Sequence, residues 1–300
     1  MFKKVMVVID ADADHQVSLD KALKLAKQDD FELILLSCDH TQYLLEGYYF
    51  DGPEIKKLRS EYLAERKALL EKIAEPLREN GLVVTTVAEW SYPNFEGIVA
   101  RAKFFDVDLI IHHVIRHGAI SRLLLTHDDW QLLRFTPAPL LIVKDKPWKD
   151  QMAIVAAVDP FHARHKPSGL DHKILNVSQR LAKLLDGNVL AVHAYRSEIF
   201  SGTYPLEARA QHQAAFKALM DDVGLPEEQR LLVEEAPVFA LRQAEELADA
   251  NVVVMGGISR SMVADLLIGS TTEQVVDYLS SDVLVLKPDD VDDPRKGEPS

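Results

Sequence analysis

The chain has one cysteine, Cys38, among 300 residues, so no disulfide framework can form within it. It also lacks any apolar run approaching the ~20 residues that cross a bilayer. The opening Met1-Phe2-Lys3-Lys4-Val5 is interrupted by Asp10 too soon for a secretory leader, and the expected location is the cytoplasm. Positive charge is short as well. Against 47 Asp and Glu stand 34 Lys and Arg, a balance of −13 that argues against nucleic acid or an anionic membrane as partner, because most of the surface would repel phosphate. Gly-x-x-x-x-Gly-Lys-Ser/Thr, His-Glu-x-x-His and Gly-x-Ser-x-Gly are all missing. Without a Walker lysine, fast phosphoryl transfer has no visible machinery. Asp10-Ala11-Asp12-Ala13-Asp14 begins like a calcium loop, but His15 and Lys21 stand where the glycine and closing glutamate are needed.

What is present is a duplication. Asp249-Ala250-Asn251-Val252-Val253-Val254-Met255 lies over Asp106-Val107-Asp108-Leu109-Ile110-Ile111-His112, an offset of 143 positions (249 − 106). At that offset Gly269 to Lys287 falls on Thr126 to Lys144 without a gap. Upstream the register drifts while the order persists: Val5-Met6-Val7-Val8-Ile9-Asp10 echoes Ile154-Val155-Ala156-Ala157-Val158-Asp159, and Leu33-Ile34-Leu35-Leu36 echoes Val189-Leu190-Ala191-Val192. Two domains are expected, 1–147 and 148–300, joined at Asp145-Lys146-Pro147-Trp148-Lys149-Asp150, with a polar tail over 288–300.

In the first half, strands are predicted near 4–10, 31–37, 82–88, 108–112 and 139–144. Helices are predicted near 15–28, 54–80, 94–105 and 127–135. The order is βαβαβαβαβ. Continuous β-branched runs suit strands buried on both faces, which implies an α/β fold with a parallel sheet covered by helices. In such sheets ligands sit beyond the C-terminal strand ends where the strand order switches, so Asp159 is expected to face the segments at Gly256 and Gly269. A helix cap or turn would serve equally as the role of Asp159.

The most specific chemistry lies late in the chain. The run Val252-Val253-Val254-Met255 enters Gly256-Gly257-Ile258-Ser259-Arg260, and ten residues after Ser259 Gly269-Ser270-Thr271-Thr272-Glu273 opens a helical pattern. Glycine after a strand lets backbone approach a ligand, and unpaired amides and hydroxyls at a positive helix end suit an anion. Ser270 and Glu273 have capping-box spacing. The competing reading is a glycine-rich loop and an ordinary N-cap.

This pattern resembles the ATP-binding motif of universal stress proteins, and two copies in one chain resemble the tandem type of that family. The resemblance spans residues 1–287 and is carried by motif in the second half, by architecture in the first. It implies two tandem open five-stranded sheets of the adenine nucleotide alpha hydrolase-like kind, related by a pseudo-twofold axis, and ATP or AMP as ligand, with Mg²⁺ accompanying ATP. By position, Asp159 would approach the ribose and adenine edge and Ala194 would line the base. Met255 and Gly256 would begin the phosphate loop, Ser259 and Arg260 continue it, and Gly269, Ser270, Thr271 and Thr272 hold the phosphates. Ser259 stands where the motif usually has its second glycine. In the first half the matching positions are His113, Arg116, Thr126 and His127, so every motif glycine is gone and that domain is not expected to bind ATP in the family's manner.

The first half instead places Asp10, Cys38, His40, His112, His113 and His117 after strands, residue types that bind zinc but at scattered spacing; strand-end histidines more often cap helices or bond backbone. Tyr48-Tyr49-Phe50 and the stretch from Phe200 to Tyr204 read as packing in preference to a ligand lid. The leading reading is a nucleotide-binding regulatory protein that acts in stress, read by a protein partner, with its two domains paired and a homodimer as a further association. Against it stand a slow ATPase acting as a timer and a scaffold that binds another small ligand or a metal.

Overall fold

The computed structural model describes residues 1–40, 53–114, 125–161, 169–196, 205–257 and 270–288. They fall into two compact units, Met1–Trp148 and Lys149–Ser300. In the first, β1 (Lys4–Val8), α1 (Val17–Ala26), β2 (Glu32–Asp39), α2 (Pro53–Glu79), β3 (Val84–Trp90), α3 (Asn94–Phe105), β4 (Leu109–His113), α4 (His127–Phe135) and β5 (Leu140–Val143) alternate along the chain. Every pairing among these strands is parallel, in the order β3-β2-β1-β4-β5.

The second unit repeats this. Its elements are β6 (Ala153–Ala157), α5 (Leu170–Leu184), β7 (Asn188–Tyr195), α6 (Pro205–Asp222), a short 3₁₀ turn at Glu227–Gln229, β8 (Arg230–Glu234), α7 (Pro237–Ala248), β9 (Val252–Gly256), α8 (Ser270–Tyr278) and β10 (Asp282–Leu286). The strands run parallel in the order β8-β7-β6-β9-β10. The two α/β sheets are therefore wound alike.

The offset of 143 seen in the sequence is also a structural register. Helices α3 and α7 begin at 94 and 237, and α4 and α8 at 127 and 270, each pair 143 apart (237 − 94, 270 − 127). Ile110 pairs with Leu140 as Val253 pairs with Val283. Asp106 and Asp249 end α3 and α7 in the left-handed region, with φ of 53° and 45°. Asp is among the few non-glycine residues that tolerate this conformation, and it stops both helices at the same place before the next strand.

Central strands are apolar because helices cover both faces. Val5, Met6, Val7, Leu33, Ile34, Ile110 and Ile111 in the first unit, and Val155, Ala156, Val253 and Val254 in the second, have no exposed surface. Removing such area from water, at ~25 cal/mol per Å², holds each unit together. The first unit closes on Trp148: its ring is buried, the Lys21 ammonium lies 5.7 Å from the ring centroid, and Lys24 Nζ donates to its carbonyl at 2.7 Å.

In each unit the chain leaves the central strand, builds two strands on one side and then two on the other. The switch lies between β1 and β4, and between β6 and β9. These switch points, at the C-terminal ends of the strands, are where α/β proteins commonly hold ligands.

Candidate functional site

In the second unit, Asp159 follows β6 at the switch. Its backbone N–H donates to Asp171 Oδ1 at 3.1 Å, from a buried Asp171 in the first turn of α5. Its own carboxylate lies 3.9 Å from Nδ1 of His193 on the neighbouring β7. His193 is fully buried, and its Nδ1 is 3.2 Å from the carbonyl of Val158 while its Nε2 is 2.8 Å from Nδ1 of His212 on α6. A carbonyl only accepts, so Nδ1 of His193 carries the hydrogen and Nε2 accepts from His212. Burial pushes the pKa of His193 down to about 4; the nearby Asp159 charge works in the opposite direction and does not reverse the shift. The ring is therefore neutral at physiological pH.

Around this pair is an aromatic cluster. The ring of His212 lies 4.0 Å from that of Phe161 and 5.0 Å from that of Tyr195, and Phe216 lies 5.7 Å from His193. Tyr195 donates its hydroxyl to Glu234 at 3.0 Å, and burial with that hydrogen bond raises its pKa. Ala194, between His193 and Tyr195, places no polar group at this end of β7.

At the other side of the switch, Met255 is buried and Gly256 ends β9. A Cβ on Gly256 would come within 2.5 Å of Leu170 Cδ2, and one on Gly257 within 2.5 Å of Val285 Cγ1. These glycines therefore admit neighbouring side chains to the strand end. The Gly257 N–H is already donated to the carbonyl of Leu286 at 2.9 Å. Thr272, buried in the first turn of α8, donates its hydroxyl to the Gly256 carbonyl at 3.3 Å and ties the helix start to the strand end. Ser259, Arg260 and Gly269 lie outside the described residues, as do the side chains of Ser270, Thr271 and Glu273. The structure thus brings Asp159, Ala194, Met255, Gly256 and the start of α8 to the C-terminal edges of adjacent elements.

The first unit fills the same edge with pairs of its own. His112, at the position of Met255, has Nε2 2.7 Å from Asp129 Oδ1. Asp129, at the position of Thr272, closes a capping box on α4: its Oδ2 accepts from the Thr126 N–H and hydroxyl, both at 2.8 Å, while the Thr126 oxygen accepts from the Asp129 N–H. Burial alone would raise the Asp129 pKa, but the hydrogen bond and charge of His112, with the Thr126 contacts, outweigh it and the carboxyl is held below its usual range. Asp128 accepts from the Asn94 N–H at 2.9 Å, and His113 Nε2 lies 2.9 Å from Asp145.

His40 and Cys38 meet the Asn94 side chain and backbone carbonyl, at 2.6 and 3.3 Å. Burial, with Glu89 and Asp39 nearby, pushes the Cys38 thiol up to about 12, so it is not a thiolate at neutral pH. Asp10 accepts from the Asp12 N–H, and Arg66 bridges Asp12 and Asp39 at 3.2 Å each. Among the described residues no three of His, Cys, Asp and Glu converge as metal ligands. His117, Arg116, Tyr48-Tyr49-Phe50 and the stretch from Phe200 to Tyr204 lie outside the described residues. Among the described residues, no helix is long and apolar enough to cross a membrane.

Sequence reasoning missed His212, Asp171 and Asp129. Only Asp129 carries a local signal, the Thr126-x-x-Asp129 spacing of a capping box; the other two act across elements.

Comparison with known proteins agrees in architecture and extent. The model of the universal stress protein family matches residues 1–144 and again 152–287. Universal stress protein E of Escherichia coli K12 is 26% identical over 312 aligned residues, covering 98% of this chain and 96% of that protein. Its homologue in Haemophilus influenzae is 24% identical, covering 97% of this chain and 99% of that one. Among solved structures, a functionally unknown protein from Pseudomonas aeruginosa PAO1 superimposes with a TM-score of 0.74 at 27% identity, covering 96% of this chain and 93% of that chain.

Proposed function

This chain belongs to the universal stress protein family, and on that premise we propose that its second unit binds an adenine nucleotide, ATP or AMP, and that the bound state is what a protein partner reads. The observation that carries the reading is the tie between Thr272 and the Gly256 carbonyl, which sets the N-terminus of α8 against the end of β9 at the switch point. The first amides of a helix have no intrahelical partner and lie at the positive end of its dipole, so they suit phosphate. Because the Gly257 N–H is spent on Leu286, phosphate would be held by the stretch from Ser259 and Arg260 through Gly269, Ser270, Thr271 and Thr272. Mg²⁺ would accompany the phosphates of ATP. Asp159 and Ala194 would meet the ribose and base, with neutral His193 fixing the Asp159 end of the crevice.

Mass analysis of the ligand released on denaturing the purified protein, followed by calorimetry with ATP and AMP, tests this. One adenine nucleotide per chain is expected. Gly269→Asp, which sets a carboxylate and a Cβ against the phosphates, is expected to weaken ATP binding at least 100-fold, about 3 kcal/mol. An empty protein that ignores ATP, or unchanged affinity in the variant, rejects the site. Conversion of bound ATP to ADP faster than in Gly269→Asp would assign the same site to a slow ATPase.

A further inference from the structure

We propose that Asp129 closes the first unit to phosphate: its carboxylate, anchored by His112 and Thr126, stands at the start of α4 as an anion belonging to the chain itself. The proposal rests on the reading that the matching place in the second unit takes nucleotide phosphate. The two places correspond residue for residue, since α4 and α8 start 143 apart and Asp129 and Thr272 are each the third residue of their helix. At Thr272 the side chain is a neutral hydroxyl turned to the Gly256 carbonyl. At Asp129 it is a carboxylate only 8% exposed that takes hydrogen bonds from the Thr126 N–H, the Thr126 hydroxyl and His112 Nε2.

Two physical consequences follow. First, the Thr126 N–H is one of the donors that an incoming anion would use at this helix end, and it is already satisfied. Second, a phosphate at the start of α4 would lie within a few ångströms of a partly desolvated negative charge, where like charges repel by several RT. His112 turns its Nε2 to Asp129, so that nitrogen offers no donor to an incoming anion. Its Nδ1 is buried with no hydrogen-bond partner. Asp128, directed to the Asn94 N–H, adds a second carboxylate to the same helix turn. Its lowered pKa keeps Asp129 ionised throughout the neutral range. Loss of the motif glycines is thus one barrier in the first unit, and an internal anion is the other.

The test uses the full chain carrying Gly269→Asp, with inorganic tripolyphosphate as probe and the backbone amide resonances of Thr126 to Trp130 as readout. Without a further change these resonances are expected not to move. Asp129→Asn, which keeps the shape and one acceptor but removes the charge, is expected to let them titrate at a probe concentration at least tenfold lower. Asp129→Glu, which restores charge, should return the unit to indifference. Thermal unfolding and an unchanged spectrum elsewhere establish that the variants fold. The proposal is overturned if the amides titrate equally with and without the Asp129 charge, or if Asp129→Asn leaves them as indifferent as before. Neither outcome touches the second unit, whose nucleotide content is measured separately in the unaltered chain.

Discussion

The two units share strand order, hydrogen-bond register and the left-handed aspartates that end α3 and α7, yet differ in what occupies the C-terminal edge of the sheet. In the first unit that edge carries carboxylate pairs: His112 with Asp129, His113 with Asp145, Arg66 with Asp12 and Asp39. In the second it carries a buried histidine pair, an alanine, a glycine pair and a threonine bonded to backbone. The difference teaches which positions are set by packing and which are left free of it. Interior strands must stay apolar in both units because each buried methylene contributes about 0.8 kcal/mol. Strand-end residues are released from that constraint, and they are where the copies diverge.

The largest test of the contrast is acid. His193 has a folded pKa of about 4 against an ordinary 6.5, so between those values the unfolded chain binds more protons than the folded one. Stability from the neutral, buried ring is fully present above pH 6.5 and is lost as pH falls toward 4, by ~3 kcal/mol at 1.36 kcal/mol per pH unit. Asp129 behaves otherwise: its pKa lies below the ordinary 3.8, so its contribution is present above that value and lost only at lower pH. Hydrogen exchange, corrected for intrinsic rates, is expected to show β7 losing protection by pH 5 while β4 and α4 keep theirs. His193→Gln should flatten the response of the second unit. Equal losses in both units would break the comparison.

A middle-sized test concerns packing beneath β2 and β7. Strand register places Cys38 in the first unit where the second has Ala194, and the common helix offset places Gly97 where the second has Ala240. A Cβ on Gly97 would come within 2.6 Å of Cys38 Sγ and 2.7 Å of Ser91 Cβ. Gly97→Ala is therefore expected to destabilise by about 1–3 kcal/mol through overpacking. Adding Cys38→Ala, which copies the second unit's pair, should recover roughly half of that, Ser91 accounting for the rest. Denaturant unfolding of the single and double variants measures the coupling; strict additivity would show that the two positions do not compensate.

Much of this frame was legible in the chain. Helices expected at 94–105 and 127–135 are observed over Asn94–Phe105 and His127–Phe135, because each starts and stops on local chemistry: Thr126 and Asp129 cap one, Asp106 ends the other. The strand expected at 82–88 instead runs Val84–Trp90: the turn at Gly81, with φ of 88°, leaves the Leu82 N–H bonded back to the Leu77 carbonyl, and residue pairing with β2 starts at Val84 opposite Leu33. The candidate site was less legible. Its glycines suggested a cradle, but Gly256 and Gly257 also make room for Leu170 and Val285, contacts fixed by tertiary packing. The partnership of His193 with His212 joins residues on a strand and a later helix, and no periodicity marks it.

The smallest test returns to the aspartates that the units share. Asp106 and Asp249 both hold positive φ, which costs a non-glycine residue about 1 kcal/mol, so glycine at either place relieves backbone strain at some cost in chain entropy. They differ in their neighbours. Asp249 forms an ion pair with Lys149, exposed on both sides and so contributing at most a few tenths of a kcal/mol, while the Lys149 bond to the Asp249 backbone carbonyl at 2.9 Å would survive substitution. Asp106→Gly is therefore expected to stabilise by about 0.5 kcal/mol, and Asp249→Gly by less, with the gap closing at 1 M salt as the ion pair is screened. Paired urea titrations at low and high salt read both values. A gap that persists at high salt would mean that the two helix ends, alike in geometry, carry different strain.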